Sequence, residues 1–215
     1  EILRCLVGSE MCIRDSRMKA KIIHVLCEGQ TEQGFVEEVL RPYLQAQGVA
    51  GVKSILITTN KKKNARGGML SYAQAVTDLE LLRKMKMDGE YERHVFTTMF
   101  DLYALPDDFP GYEAAKAIGE PYARVAALET AFAEAINDSR FIPYIQLHEF
   151  EALLFCGIDY LAKRYPGCEK RCEQLKKDLE KTSNPELINN SPETAPSKRI
   201  TVSYTHLTLP TTPYV

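Results

Sequence analysis

Three places in the chain put acidic or coordinating side chains directly after an apolar run. Glu28 follows Ile22-Ile23-His24-Val25-Leu26-Cys27, Asp101 follows the run 94–100, and His148, Glu149 and Glu151 follow the run 141–147. If those runs are strands of one open α/β sheet, all three groups reach the rim where such sheets bind ligands, beyond the carboxyl ends of the strands. Carboxylates gathered from distant positions repel one another unless a cation sits between them. Oxygen-only ligands favour a hard ion, Mg²⁺ or Mn²⁺, over zinc. An ion so held aligns a phosphodiester and activates water.

Each signal has a plainer reading beside it. Glu28 and Glu32 lie where an acid simply favours a helix N-terminus, and Asp101 is also a common turn starter. His148-Glu149-Phe150-Glu151 shares its first two residues with the zinc-peptidase helix motif, but Ala152 stands where the second His is required, so that motif fails. Glu149 and Glu151 are two apart and cannot share a helix face, so one of them at most points into a site. The basic loop Lys61-Lys62-Lys63 with Arg66 is suited either to a phosphate backbone or to plain solvation. Cys168 and Cys172, four apart with no second pair, do not make a zinc site.

These groups need strands and helices to hold them. The run 19–27 reads as a buried strand, followed by a turn and a helix from Glu32 that shows Phe35, Val36, Val39, Leu40 and Tyr43 on one face. Thr31 is expected to cap that helix, with Pro42 and Gly48 closing it. A second strand is expected over 52–59. The polar loop 60–68 then leads to a helix with Tyr72, Val76, Leu79 and Leu82 aligned. The third strand spans 94–100, a helix carries Val125, Leu128, Phe132 and Ile136, and a fourth strand spans 141–147 with Pro143 at an edge or first position. Alternating strands and amphipathic helices predict an α/β fold with a mostly parallel sheet of about four strands. Beyond Asp159 the chain turns charged and helical over 169–181, then loses periodicity.

Composition narrows the function classes. The chain has 215 residues with 27 Lys plus Arg against 29 Asp plus Glu, a formal net charge of −2. It is no polycation, and any nucleic-acid contact must come from a local patch. No apolar run reaches the roughly 18 residues that span a bilayer, so no membrane partner is expected. Six irregularly spaced cysteines do not make a disulfide scaffold, which points to a reducing, cytoplasmic setting. The two ends carry a different signature. Met11 to Ser16 can be encoded by ATG TGT ATA AGA GAC AGC, whose reverse complement contains GTC TCT TAT ACA CAT, the codons of Val202 to His206. Residues 1–17 and 201–215 therefore read as translated sequencing adapter and junction, to be kept out of fold reasoning. The remainder divides into an α/β core, 18–158, and a helical and irregular extension, 159–200, expected to be truncated.

Over about residues 19–200 the chain resembles the Toprim-like domain-of-unknown-function family 4276. The resemblance rests on Cys27-Glu28-Gly29-Gln30-Thr31-Glu32, Phe100-Asp101-Leu102-Tyr103 with Leu105-Pro106, the run from Pro143 through Gln146-Leu147-His148-Glu149 to Phe155, and the run from Ser191-Pro192-Glu193 to Lys198-Arg199-Ile200. It implies a Toprim-like sheet and a helical C-terminal segment. In Toprim domains a Glu after the first strand and an Asp-x-Asp after the third bind Mg²⁺, and Glu28 and Asp101 match those positions. Tyr103 replaces the second Asp, a departure from the pattern. Asp107, Asp108, Glu149 and Glu151 are the carboxylates left to complete the set.

The activity this resemblance implies is that of a metal-dependent nuclease. Glu28, Asp101 and Glu151 would bind Mg²⁺ or Mn²⁺, and His148 and Glu149 would be catalytic. Lys198, Arg199 and Lys62 would hold phosphate, with Glu32 and Tyr103 supporting the metal ligands. Some members with this resemblance act beside an ATPase in phage defence, which implies an ATPase partner. The alternative is a catalytically inactive Toprim-like subunit that binds nucleic acid or regulates that ATPase, and Tyr103 is the residue that favours it. A hydrolase of small phosphorylated ligands is a third reading that the modest charge permits.

Overall fold

The computed structural model describes residues 19–58, 71–147, 149–164, 169–182 and 184–187. The chain enters on β1 (Ala20–Cys27), whose last four residues are all buried. A strand with neighbours on both sides and cover on both faces loses its in-out alternation, which is why His24 to Cys27 form one continuous buried run.

One helical stretch follows in three pieces: α1 (Gln30–Phe35), a π-helical segment (Val36–Leu40) and α2 (Arg41–Ala46). Its N-cap is Gly29, in extended conformation, rather than Thr31. Pro42 lies inside the stretch instead of ending it. A proline there has no N–H for the Glu38 carbonyl and its ring presses on that carbonyl. The helix responds with a widened turn in which the Arg41 N–H reaches the Val36 carbonyl. That turn rotates the rest of the helix by roughly a quarter turn, and the expected apolar face splits. Val36 is fully buried, whereas Val39 and Tyr43 are 52% and 62% exposed. The stop is Gly48, at φ +90°, a conformation that favours glycine.

Next comes β2 (Gly51–Leu56), parallel to β1 and shorter than expected. The Ile57 N–H still bonds the Cys27 carbonyl at 3.0 Å. Thr58 then leaves the sheet, its N–H and hydroxyl both held by Asp78 at 2.7 and 3.0 Å. Asp78 belongs to α3 (Tyr72–Met85), which leads to β3 (Glu92–Asp101), parallel to β1 on its other side. After a short α4 (Tyr112–Lys116), α5 (Pro121–Ile136) starts with Glu120 accepting from the Tyr122 and Ala123 amides and with Pro121 in the first turn. Val125, Leu128, Phe132 and Ile136 are buried, as their spacing requires. Phe132 is the hub of this layer, with the Phe109 and Phe141 rings each 4.9 Å away edge-on.

The expected fourth strand is in fact two, β4 (Phe141–Ile142) and β5 (Ile145–Gln146), both paired with β3. Pro143 has no N–H to offer a ladder, and the ladder stops there. The Thr98 hydroxyl bridges the gap, donating to the Tyr144 carbonyl at 2.9 Å and accepting from the Tyr144 N–H at 3.0 Å. The next amide, Ile145, donates to the Glu129 carboxylate at 2.9 Å. Among the described residues the result is a five-stranded, mostly parallel α/β sheet in the order β2-β1-β3-β4, with β5 also paired to β3, flanked by helices.

The described residues divide into two compact units, those within 19–100 with 104–145 and those within 101–103 with 146–187. In the second, a 3-10 segment (Phe150–Gly157) leads into α6 (Ile158–Arg164) and then α7 (Glu169–Thr182). Charged α7 buries Cys172 and Leu175, one turn apart, and Lys176 reaches Asp159 of α6 in an ion pair. Among the described residues no helix is long and apolar enough to cross a membrane.

Candidate functional site

Glu28 comes directly after β1 and is half-buried, and Asp101 is the half-buried last residue of β3. The two strands are parallel neighbours with Cys27 opposite Met99. From β1 the chain moves outward to β2 on one side and returns to β3 on the other. The β1/β3 boundary is therefore a topological switch point, where an open α/β sheet leaves a crevice at the carboxyl ends of its strands.

Around Glu28 the local chemistry is settled by burial. The Cys27 thiol, fully buried, is pushed up to about 12 by desolvation, with the Glu32 carboxylate adding to the shift. A thiol so raised stays protonated and inert. Glu32 is the third residue of α1 and folds back over the N-cap: a Cβ on Gly29 would meet Glu32 Oε2 at 2.8 Å. That is where a capping-box acid sits, close to the unpaired amides of the helix start. A side chain at position 29 would displace the flexible end of Glu32 from the helix start.

Of the acids that could complete the set with Asp101, Asp107 and Asp108 have partners of their own. Tyr103 lies in a 3-10 turn (Leu102–Ala104) and is 42% exposed. Asp107 pairs with Lys116 at 3.8 Å, and Asp108 accepts the Tyr72 N–H at 3.0 Å, helping to start α3. Glu149 is the N-cap of the 3-10 segment, its carbonyl accepting the Ala152 N–H at 3.1 Å, and Glu151 falls in the first turn. Because that segment is 3-10, Glu149 and Glu151 project in different directions. His148, Lys62, Lys198 and Arg199 lie outside the described residues. Among the described residues no three His, Cys, Asp or Glu side chains gather to hold a metal ion, so those residues alone do not fit a complete Mg²⁺ or Mn²⁺ centre.

Some polar groups of consequence escaped the sequence reading. Gln146, fully buried at the end of β5, donates to the Leu147 carbonyl at 3.3 Å and to Glu186 Oε1 at 3.2 Å. That contact ties the 3-10 turn Pro185–Leu187 to the strand end. A second group is the pair His24 and His94, buried to 2% and 7% exposure. A histidine inside each of two apolar strand runs was the available signal, and its meaning depended on the pairing of those strands. Asp138 is the third, bonded by both Arg83 at 2.7 Å and Arg140 at 2.9 Å.

Fold and strand-end acids together define an α/β protein with a parallel sheet, a β1/β3 switch point and one carboxylate at the end of each flanking strand. Within that class the chain belongs to the family described as Domain of unknown function (DUF4276), whose profile matches residues 27–210. No curated protein and no solved structure matches it.

Proposed function

We propose that this chain is a Toprim-like nuclease, hydrolysing nucleic-acid phosphodiesters with Mg²⁺ or Mn²⁺ in the cytoplasm beside an ATPase partner in phage defence. The observation that carries the reading is the strand order: Glu28 directly follows β1 and Asp101 ends β3, the two parallel strands that flank the switch point. In the resemblance, these are the positions of the metal-binding acids. A bound ion would supply Lewis-acid activation of water and the phosphoryl oxygens. The described residues by themselves fall short of a complete metal set. In this reading His148 and Glu149 move protons, Glu151 adds to the acidic group, and Lys62, Lys198 and Arg199 hold the phosphate backbone.

A second reading has its own observation. Tyr103, exposed in its 3-10 turn, stands where the second Toprim Asp is expected. A scaffold without that acid suits a catalytically inactive subunit that binds nucleic acid or regulates the ATPase.

Nuclease assays on DNA and RNA with Mg²⁺ or Mn²⁺ separate the two. Under the first reading the wild-type chain cleaves, and Glu28→Gln and Asp101→Asn each lose at least about a hundredfold. Binding without cleavage, with Tyr103→Asp gaining metal affinity but the wild type inert, selects the second. Equal cleavage by wild type and both variants overturns the site assignment.

A further inference from the structure

The outer edge of β2 is partly covered by side chains of the helix beside it. The bond from the Ile57 N–H to Cys27 makes residues 57, 55 and 53 those whose backbone faces β1. Alternate residues of a strand turn their backbone groups to opposite edges, so Val52 and Ser54 face outward. On that side no further strand follows among the described residues. Two of the outward groups, the Val52 carbonyl and the Ser54 N–H, are taken by side chains from the preceding helix. Arg41 Nε donates to the Val52 carbonyl at 3.0 Å. The Ser54 N–H donates to Glu37 Oε1 at 3.4 Å, and the Ser54 hydroxyl donates to the same oxygen. Glu37 and Arg41 are themselves ion-paired, four residues apart across the π-helical segment.

We propose that Glu37 and Arg41 form a clip that keeps β2 from adding a strand of a second copy of this chain. An edge strand with unpaired amides and carbonyls is a template for strand addition. A second copy presents the same edge, so antiparallel β2–β2 pairing about a two-fold axis is self-complementary. Leu56, 36% exposed on that strand, would add apolar contact to such a pair. The guard depends on Pro42, because the widened turn before it sets the phase in which Glu37 and Arg41 both address β2.

The test measures self-association of the full chain by sedimentation velocity as concentration is raised. Glu37→Ala with Arg41→Ala is expected to raise the dimerisation constant at least about tenfold over wild type. Adding Ser54→Pro, which removes the outward N–H together with the hydroxyl and fixes φ near the strand range, is expected to reverse the gain. A folded double variant that sediments as wild type, or one whose association survives Ser54→Pro, overturns the proposal. Should the double variant fail to fold, amide exchange in the wild-type chain decides. Ser54 is expected to exchange slowly despite its edge position, and exchange at the rate of an open edge amide overturns the clip.

Discussion

His24 Nε2 and His94 Nδ1 lie 3.0 Å apart in a hydrogen bond between β1 and β3, with the His24 ring stacked on Phe96 at 5.3 Å. One ring nitrogen donates and the other accepts, so the accepting nitrogen carries no proton. The surroundings of His24 favour its neutral form. Burial, then His94, then Lys53 and Lys86 hold His24 down at about 4. Around His94, the Asp88 carboxylate receives its backbone N–H at 2.8 Å and Glu92 comes within 3.8 Å of the ring. Arg140 lies over the Phe96 ring at 5.1 Å.

The pair makes the core acid-sensitive above the carboxylate range. In the unfolded chain His24 titrates at its ordinary value of 6.5, and in the fold at about 4. Between these values the unfolded state binds the extra proton, so stability is full above pH 6.5 and falls as pH drops toward 4. The loss amounts to roughly 3 kcal/mol. Urea titrations over this window are expected to show that slope in the wild type and a flatter one in His24→Gln, which keeps an amide donor for His94. Equal slopes would remove His24 as the cause.

Asp138 predicts a second acid transition at lower pH. The hydrogen bonds from Arg140, then those from Arg83, hold its carboxyl well below the usual carboxylate range. Its stabilisation is present above that range and lost as pH falls through it. Asp138→Asn should cost about 1.5–3 kcal/mol at neutral pH, read by thermal melting. It leaves two guanidiniums without their shared carboxylate, at the point where the end of α5 meets the start of β4 and the Arg83 side chain of α3.

Thr98 tests the break between β4 and β5. Thr98→Val keeps the shape and removes the hydroxyl that serves both Tyr144 backbone groups. A cost of about 1–3 kcal/mol is expected, with Thr98→Ser retaining most of the wild-type stability. Equal melting of the Val and Ser variants would show that the hydroxyl contributes nothing.

Two glycines with positive φ separate backbone strain from crowding. Gly48, at φ +90°, has open space where a Cβ would stand, whereas at Gly111, φ +74°, a Cβ would meet Ala131 Cβ at 2.9 Å. Gly48→Ala should cost about 1–2 kcal/mol for the left-handed conformation alone. Gly111→Ala should cost more, and a reversed order in chemical denaturation would contradict the packing of α5 over that turn.

The sequence by itself determined the element types, their alternation and the residues that end the first and third strands. Those features are local: apolar runs, helical spacing and turn residues act within a few positions, and Val125, Leu128, Phe132 and Ile136 are buried as their period requires. Helix phase was not local in that sense. Pro42 looked like a stop, yet a proline inside a helix can be absorbed by a widened turn when packing holds both sides, and that turn carried Val39 and Tyr43 into solvent. Nor could spacing reveal that Asp108 starts a distant helix, that Asp138 binds two arginines, or that His24 and His94 meet. Each depends on which strands and helices become neighbours, and only the tertiary structure decides that, because a buried polar group takes its chemistry from the partner across the fold.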